Sequence, residues 1–423
     1  MDSDFRGGRK PKTIEPLNDL TTPKLPDFSA IADDNTTADG SIVEDDTDTV
    51  NQGTAESVVT TAEEAAPRPK KKSSFWSLQW GLGKRPTIIL AVIALLLIGG
   101  GIAGVFLTHP GNQGGTFISK KPVYTPKITT VANNLSGLQV DASVNTRPVT
   151  GVMIENSTDA RPQSGLDQAG VVFEAIAEGG ITRFLALFQD NTPDYIGPVR
   201  SARPYYVQWC MSFDCALAHA GGSPEALQNI VDWGTKDLNH NASAFWRVTS
   251  RYAPHNLYTS IAKLNEYEAS RGYGTPNFTP LARKTDAGSK TPDAGSIDIA
   301  ISSASFNSHY DYDAATNSYA RSQAGAAHTA IDASGASTQL KPKVVVAMVM
   351  QYGIASDKHS QYGVTGSGEA FVFQDGTVTK GTWNKADQRG ALELKNADGS
   401  PFKINAGQTW FVAVSTASKV TYR

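Results

Sequence analysis

The segment Thr87–Leu107 (TIILAVIALLLIGGGIAGVFL) sets the plan of this chain, because it is 21 consecutive residues without a charge. As a helix rising about 1.5 Å per residue it matches the roughly 30 Å hydrocarbon core of a bilayer. A buried helix of a soluble protein is the alternative, but the run has no polar face. The triplet Gly99–Gly101 also suits lipid better than water. Arg68, Lys70, Lys71, Lys72, Lys84 and Arg85 precede the segment, and the next Lys is Lys120. That asymmetry predicts a cytoplasmic N-terminus and a C-terminal bulk outside the cell membrane. Trp76 and Trp80 fit the inner interface. A cleavable signal would lie nearer the first residue, so the segment reads as a retained single-pass transmembrane anchor.

The anchor partitions the charge. The whole chain is near neutral, with 38 Lys+Arg against 41 Asp+Glu. No basic face of the kind a nucleic-acid binder needs is implied, so nucleic acid is not an expected partner. Residues 1–86 are acidic, and between Leu25 and Pro67 there is no Lys or Arg at all. Such a stretch cannot bury enough apolar surface to fold, so a disordered acidic cytoplasmic tail is expected, either a spacer or a docking segment. Lys70–Lys72 beside the membrane would touch anionic lipid headgroups. Residues 108–143, rich in Gly, Pro, Thr and Asn, read as an extracellular stalk.

The remainder reads as α+β. Residues 144–274 alternate strand-like and helical runs: VTGVMIE (149–155), TRFLALFQ (182–189) and CALAHAGG (215–222) as strands, AGVVFEAIAEGG (169–180) as helix or strand. SPEALQNIVDWG (223–234) predicts a helix, with Ser223 as N-cap, Pro224 in the first turn and Gly234 as the stop. This is the pattern of an α/β-type domain with a mixed sheet. A polar Pro/Gly linker follows at 275–296, and then 297–423 reads as a small antiparallel β domain, with Asp375-Gly376 as a hairpin turn. Trp383, Trp410 and Phe411 are expected in its core.

Candidate chemistry gathers in the first of these regions. Arg200 and Arg203 in GPVRSARPYYV (197–207), with Arg183, Arg247 and Arg251, would form an anion site if their forks converge. At a helix start, Arg200 and Arg203 would share one face. Alternatively they pair internally with Glu155, Glu174 or Glu178. Gly221-Gly222-Ser223 at a helix start could present backbone N–H groups to an anion, although it lacks the spacing of a nucleotide-binding loop. His219 and His255, the latter beside Asn256, are candidate proton carriers, and a packing or hydrogen-bonding role is the alternative. The histidines have no recognisable metal-ligand spacing, and no Ser-nucleophile or HExxH motif occurs. Cys210 and Cys215 can pair only if a turn brings them together; two buried thiols are the alternative.

Several segments carry a family likeness: RPVTGVMIEN (147–156), ARPQSGLDQAGVVFEAIAEGGITRFLALF (160–188), GPVRSARPYYV, HAGGSPEAL (219–227), APHNLYTS (253–260), YDYDAATNSYAR (310–321) and GSGEAFVFQDGTVTKGTW (366–383). Over about 147–415 the chain resembles the YerB-like family of bacterial surface lipoproteins, whose function is not established. No Cys lies near the hydrophobic segment to accept a lipid, so here a transmembrane helix would replace the lipid anchor. A more distant likeness is to the LytR–CpsA–Psr enzymes, which transfer glycopolymers from a pyrophosphate lipid carrier and hold the pyrophosphate with arginines. By position Arg183, Arg200 and Arg203 would take that clamp role. Where those enzymes place an Asp after each arginine motif, this chain has Phe184 and Ser201, so Mg²⁺ would need Glu174 or Glu178 instead. Three readings follow for a protein of a walled bacterium. It binds an anionic cell-wall or lipid-linked ligand through Arg183, Arg200, Arg203, Arg247, Arg251, Asn256 and the Gly221–Ser223 turn; it is a phosphoryl or glycopolymer transferase; or it is a structural or scaffolding surface protein.

Overall fold

The computed structural model describes residues 129–423. The expected acidic tail, the anchor Thr87–Leu107 and the stalk up to residue 128 lie outside the described residues. Among the described residues, no helix is long and apolar enough to cross a membrane.

The strands that build the two main sheets are, in chain order, β1 (Thr150–Glu155), β2 (Val171–Glu178), β3 (Ile181–Phe188), β4 (Ala216–His219), β5 (Lys236–Asn239), β6 (Ser296–Ile299), β7 (Ser308–Asp313), β8 (Ser318–Gln323), β9 (Ala326–Ala327), β10 (Val344–Val349), β11 (Gly366–Gln374), β12 (Thr377–Lys385), β13 (Glu393–Lys395), β14 (Thr409–Val414) and β15 (Val420–Tyr422). Among the described residues the α-helices are α1 (Pro204–Met211), α2 (Pro224–Asp232) and α3 (Ile261–Ser270). Ten strands form one mixed sheet in the order β13-β12-β11-β10-β14-β2-β3-β1-β4-β5. Five more form an antiparallel sheet in the order β9-β8-β7-β6-β15.

The apolar runs are strands because both faces of the large sheet are covered, which removes the in-out alternation of a half-exposed strand. β1 is buried at every residue. Met153, Phe173, Leu185, Val346 and Phe411 pack on one face against α1 and α2 through Tyr205, Trp209 and Ile230. Phe173 is stacked between Trp209 and Phe411, with ring centroids 4.9 and 4.8 Å away. On the other face Val152, Val172, Phe184, Val345 and Trp410 meet α3 and the inner side of the five-stranded sheet, through Leu264, Ile297, Tyr310 and Tyr319. Segment 169–180, open between helix and strand in sequence, is therefore the strand β2. α2 is capped as expected: the Ser223 hydroxyl accepts from Ala226 N–H, and Gly234 ends the turn at φ +58°. Asp375 and Gly376 both have positive φ, as a two-residue hairpin of β11 and β12 requires.

The structure departs from the expected organisation in three places. The region 297–423 is not a separate antiparallel domain. β14 inserts between β2 and β10, parallel to both, and places Thr409 beside Val171. Burying β2 on both edges requires a strand from far along the chain, and the described residues 129–423 form one compact unit. The linker 275–296 is pinned by Arg283–Lys284, which pairs in parallel with Ile404–Asn405. The expected stalk already belongs to the folded body from residue 129. Leu135 is buried there, and Asn133 donates to Gln189 Oε1 (2.9 Å) while accepting from the N–H groups of Leu135 and Ser136.

Candidate functional site at the carboxyl edge of the sheet

β1, β2, β4, β5, β10 and β14 run in one direction, so their carboxyl ends line one edge of the large sheet. In open sheets of parallel strands ligands bind at that end. The edge carries Glu155 at the end of β1, Glu178 at the end of β2, His219 at the end of β4, and Arg183 near the start of the antiparallel β3. Beyond Ala218, β4 no longer pairs with β1, and the segment 197–203 takes the vacated edge. Glu155 N–H donates to Pro198 O (2.9 Å) and Arg200 N–H to Met153 O (3.0 Å).

The arginines do not converge on one point. Arg200 lies in an extended segment and Arg203 is the N-cap of α1, so they do not share a helix face. Glu178 bridges two of the cluster: Arg183 Nη2 lies 2.7 Å from its Oε1 and Arg203 Nη2 2.5 Å from its Oε2. Burial alone would raise the Glu178 pKa, but the two guanidinium groups hold it down at about 2. Arg183 and Arg203 also donate to the carbonyls of Ser201 and Ala202. Arg251 is committed to the carbonyls of Asp159 and Pro162, and Arg247 to Asn256 Oδ1 at 2.7 Å. These contacts, with Asn256 donating to Val248 O, pin the loop that carries His255. Pairing with a glutamate, the alternative left open in sequence, is found for Arg183 and Arg203 at Glu178 and for Arg200 at Glu155, whereas Arg247 and Arg251 bond to Asn256 and to backbone carbonyls.

The Gly-Gly turn serves the same edge. Ala220 N–H donates to Arg200 O, Ala202 N–H to Gly221 O and Ser223 N–H to Ala202 O, so the donors of Ala220 and Ser223 already have protein partners. A Cβ on Gly222 would stand 3.3 Å from Ala202 O and 3.1 Å from the Leu227 side chain, which explains the glycine as close packing. His219 is buried, with Nδ1 2.6 Å from Gly221 O and Nε2 2.9 Å from Asp237 Oδ1. Both ring nitrogens have protein partners, and through them His219 ties the turn to β5.

A different group emerges as the hub. The Glu155 carboxylate is buried, and its Oε1 faces Arg200 Nη2 (3.0 Å), His255 Nδ1 (2.9 Å) and the Ser157 hydroxyl (2.8 Å). Its Oε2 and the Arg200 Nε are buried without a hydrogen-bond partner among the described residues. Burial would raise the Glu155 pKa, yet Arg200, Ser157 and His255 bring it below the usual glutamate value. The Arg200 and His255 side chains remain 20% and 19% exposed. Ser157 lies 3.4 Å from the same Nδ1 that faces Glu155, so it is not placed as a nucleophile with a free imidazole nitrogen as its base. His255 Nε2 points the other way, with Asp159 Oδ2 at 4.0 Å. The sequence signal for this hub is the single carboxylate ending the otherwise buried run TGVMIE.

The carboxylates needed for Mg²⁺ do not fit that role. Glu174 is wholly buried: Arg321 Nη2 is 2.7 Å away, Trp410 Nε1 3.0 Å and the Thr182 hydroxyl 3.2 Å. Glu178 is held by its two arginines. Among the described residues, no three His, Cys, Asp or Glu side chains gather where they could hold a metal ion. Cys210 and Cys215 are joined in a buried disulfide, with Cα atoms 5.2 Å apart, which settles the alternative left open in sequence.

The fold and the edge together define a mixed-sheet protein built from two interlocked sequence regions. Residues 135–274 match the model of the N-terminal domain, and residues 297–411 that of the C-terminal domain, of a protein family of unknown function (DUF3048). The chain belongs to this family. It is 32% identical over 283 residues to a Bacillus subtilis (strain 168) protein described as "Putative lipoprotein YerB", over 65% of this chain and 84% of that one. The crystal structure of YerB from Bacillus subtilis superposes with a TM-score of 0.62 at 28% identity, covering 69% of this chain and 99% of that one. The YerB-like resemblance read from the motifs is thus correct.

Proposed function

We propose that this protein is a membrane-anchored component of the bacterial cell envelope that binds an anionic group of an envelope ligand at Arg200 and His255. The observation that carries the reading is the Glu155 hub. One buried carboxylate holds the guanidinium and the imidazole side by side at the carboxyl edge, each still partly exposed, so the pair is pre-organised for a phosphate or carboxylate. The site is narrower than the arginine surface expected from sequence, since Arg183, Arg203, Arg247 and Arg251 now serve as its frame. Membrane attachment rests on Thr87–Leu107 and on the lipoprotein description of the Bacillus relative. The Cys210–Cys215 disulfide fits an oxidising, extracytoplasmic compartment.

Co-sedimentation with purified cell-wall sacculi tests this. Arg200→Gln combined with His255→Gln should weaken retention about tenfold or more; because it also strips the buried Glu155 of both counter-groups and lowers the melting temperature, retention is measured well below the variant's own melting range. Removing anionic polymers from the sacculi should abolish retention of the unsubstituted chain. Equal retention of a folded double variant would overturn the site. It would favour the scaffolding reading, which the internal pairing of the other arginines independently supports. The transferase reading has no comparable support, because Glu174 and Glu178 are both committed to arginines.

A further inference from the structure

On the outer face of the five-stranded sheet a second site lies apart from the Glu155 hub. The register places Asp298 opposite His309 and His309 opposite Ser322, so these side chains form one row across β6, β7 and β8. The row lines an open cavity of about 440 Å³, which is also bounded by Asn307. This volume lies within the roughly 300–1,000 Å³ range of small-molecule sites. Ala300, Ala304, Ala324 and Gly325 around it are too small to fill it.

His309 is held between two carboxylates, with Nδ1 2.7 Å from Asp298 Oδ1 and Nε2 3.0 Å from Asp311 Oδ1. Partial burial would lower its pKa, but the hydrogen bonds to Asp298 and Asp311 raise it. Even with a charged imidazole, the group has two carboxylates for one cation, leaving a negative charge. The Asn307 amide is fixed by accepting from Ser302 N–H (3.0 Å), and the Ser322 hydroxyl completes a set suited to ligand hydroxyl groups.

We infer that this cavity binds a small hydroxylated ligand bearing a cationic amine, of the amino-sugar class, with the ammonium group at Asp298 and hydroxyl groups at Ser322 and Asn307. An anionic ligand is repelled here, so the cavity complements the Arg200–His255 site and does not extend it. The test is titration of the full chain in lipid nanodiscs with glucosamine, N-acetylglucosamine and glucose, followed by ligand-observed NMR. Glucosamine should bind about tenfold more tightly than the other two, since only it offers a charge-assisted contact. Asp298→Asn should remove that preference, and Ala304→Trp, which fills the cavity from an exposed position, should abolish binding at unchanged thermal stability. The proposal is overturned if glucosamine does not bind, if glucose binds equally well, or if a folded Ala304→Trp variant binds as before.

Discussion

Replacing Arg321 with methionine should destabilise the folded region by about 3–5 kcal/mol, read as a fall in the denaturant midpoint. Arg321 comes from β8 in the five-stranded sheet, and its partner Glu174 comes from β2 at the centre of the large one; both side chains are fully buried. The guanidinium also sits 4.8 Å from the Trp410 ring centroid and contacts His328 Nδ1. His328 Nε2 in turn faces Gln163 Oε1, and Gln163 donates to Asn156 Oδ1. Burial and the neighbouring Arg321 and Arg161 charges hold the His328 pKa well below its ordinary value, so this histidine is neutral. Removing Arg321 leaves Glu174 without its counter-charge in an apolar interior, where a lone carboxylate is strongly disfavoured. The double substitution Glu174→Leu with Arg321→Met should recover most of the loss, because replacing both members of a buried pair is far milder than orphaning one. A single Arg321→Met variant that unfolds at the same midpoint as the parent would show that the pair does not join the two layers.

Glu268→Gln should raise stability at pH 8 by about 3 kcal/mol and leave it unchanged near pH 4. Glu268 is buried on α3, its Oε1 accepts from the Thr150 hydroxyl at 2.7 Å, and its Oε2 has no partner among the described residues. Burial pushes its pKa up to about 7, against the opposing effects of Thr150 and Lys236. A carboxyl whose folded pKa is raised binds its proton more tightly in the native state. Its full contribution is therefore present below the unfolded value, is lost as pH climbs towards 7, and stays lost above that. Glutamine keeps the acceptor for Thr150 and never ionises, so the variant and the parent should diverge only above about pH 5. Parallel stability curves from pH 4 to pH 8 would contradict this.

Much of the scaffold was legible because local rules and burial agree. β1, β3, β10 and β14 announce themselves as largely apolar, β-branched or aromatic runs, and α2 carries its cap, its proline and its stop in the sequence. α3 also had a readable signal: Ser260 accepts from Lys263 N–H, and Ile261, Leu264 and Glu268 recur on its buried side. The aromatic α1 has no such start, since the Arg203 side chain makes no cap hydrogen bond. What sequence could not show is which strand lies beside which. The pairing of β14 with β2 depends on contacts between the two family regions, and periodicity within either region is silent about it. The same holds for the site. Arg183, Arg200 and Arg203 stand out in the sequence and lie at one edge of the sheet, but whether a guanidinium faces a ligand or a carboxylate depends on where Glu155 and Glu178 end their strands. Glu155 is a hub because the 197–203 segment, remote from it in sequence, lies alongside it and brings Arg200 to its carboxylate.

The central position of β14 also sets an order of events during synthesis. β2 and β10 cannot acquire their shared neighbour until residues 409–414 have left the ribosome, after almost all of the described region has been made. Until then both strands present apolar, unpaired edges of the kind that recruit other chains. Export in an unfolded state, or a holding chaperone that keeps those edges covered until the last strand arrives, would suit this topology better than domain-by-domain folding from the N-terminus.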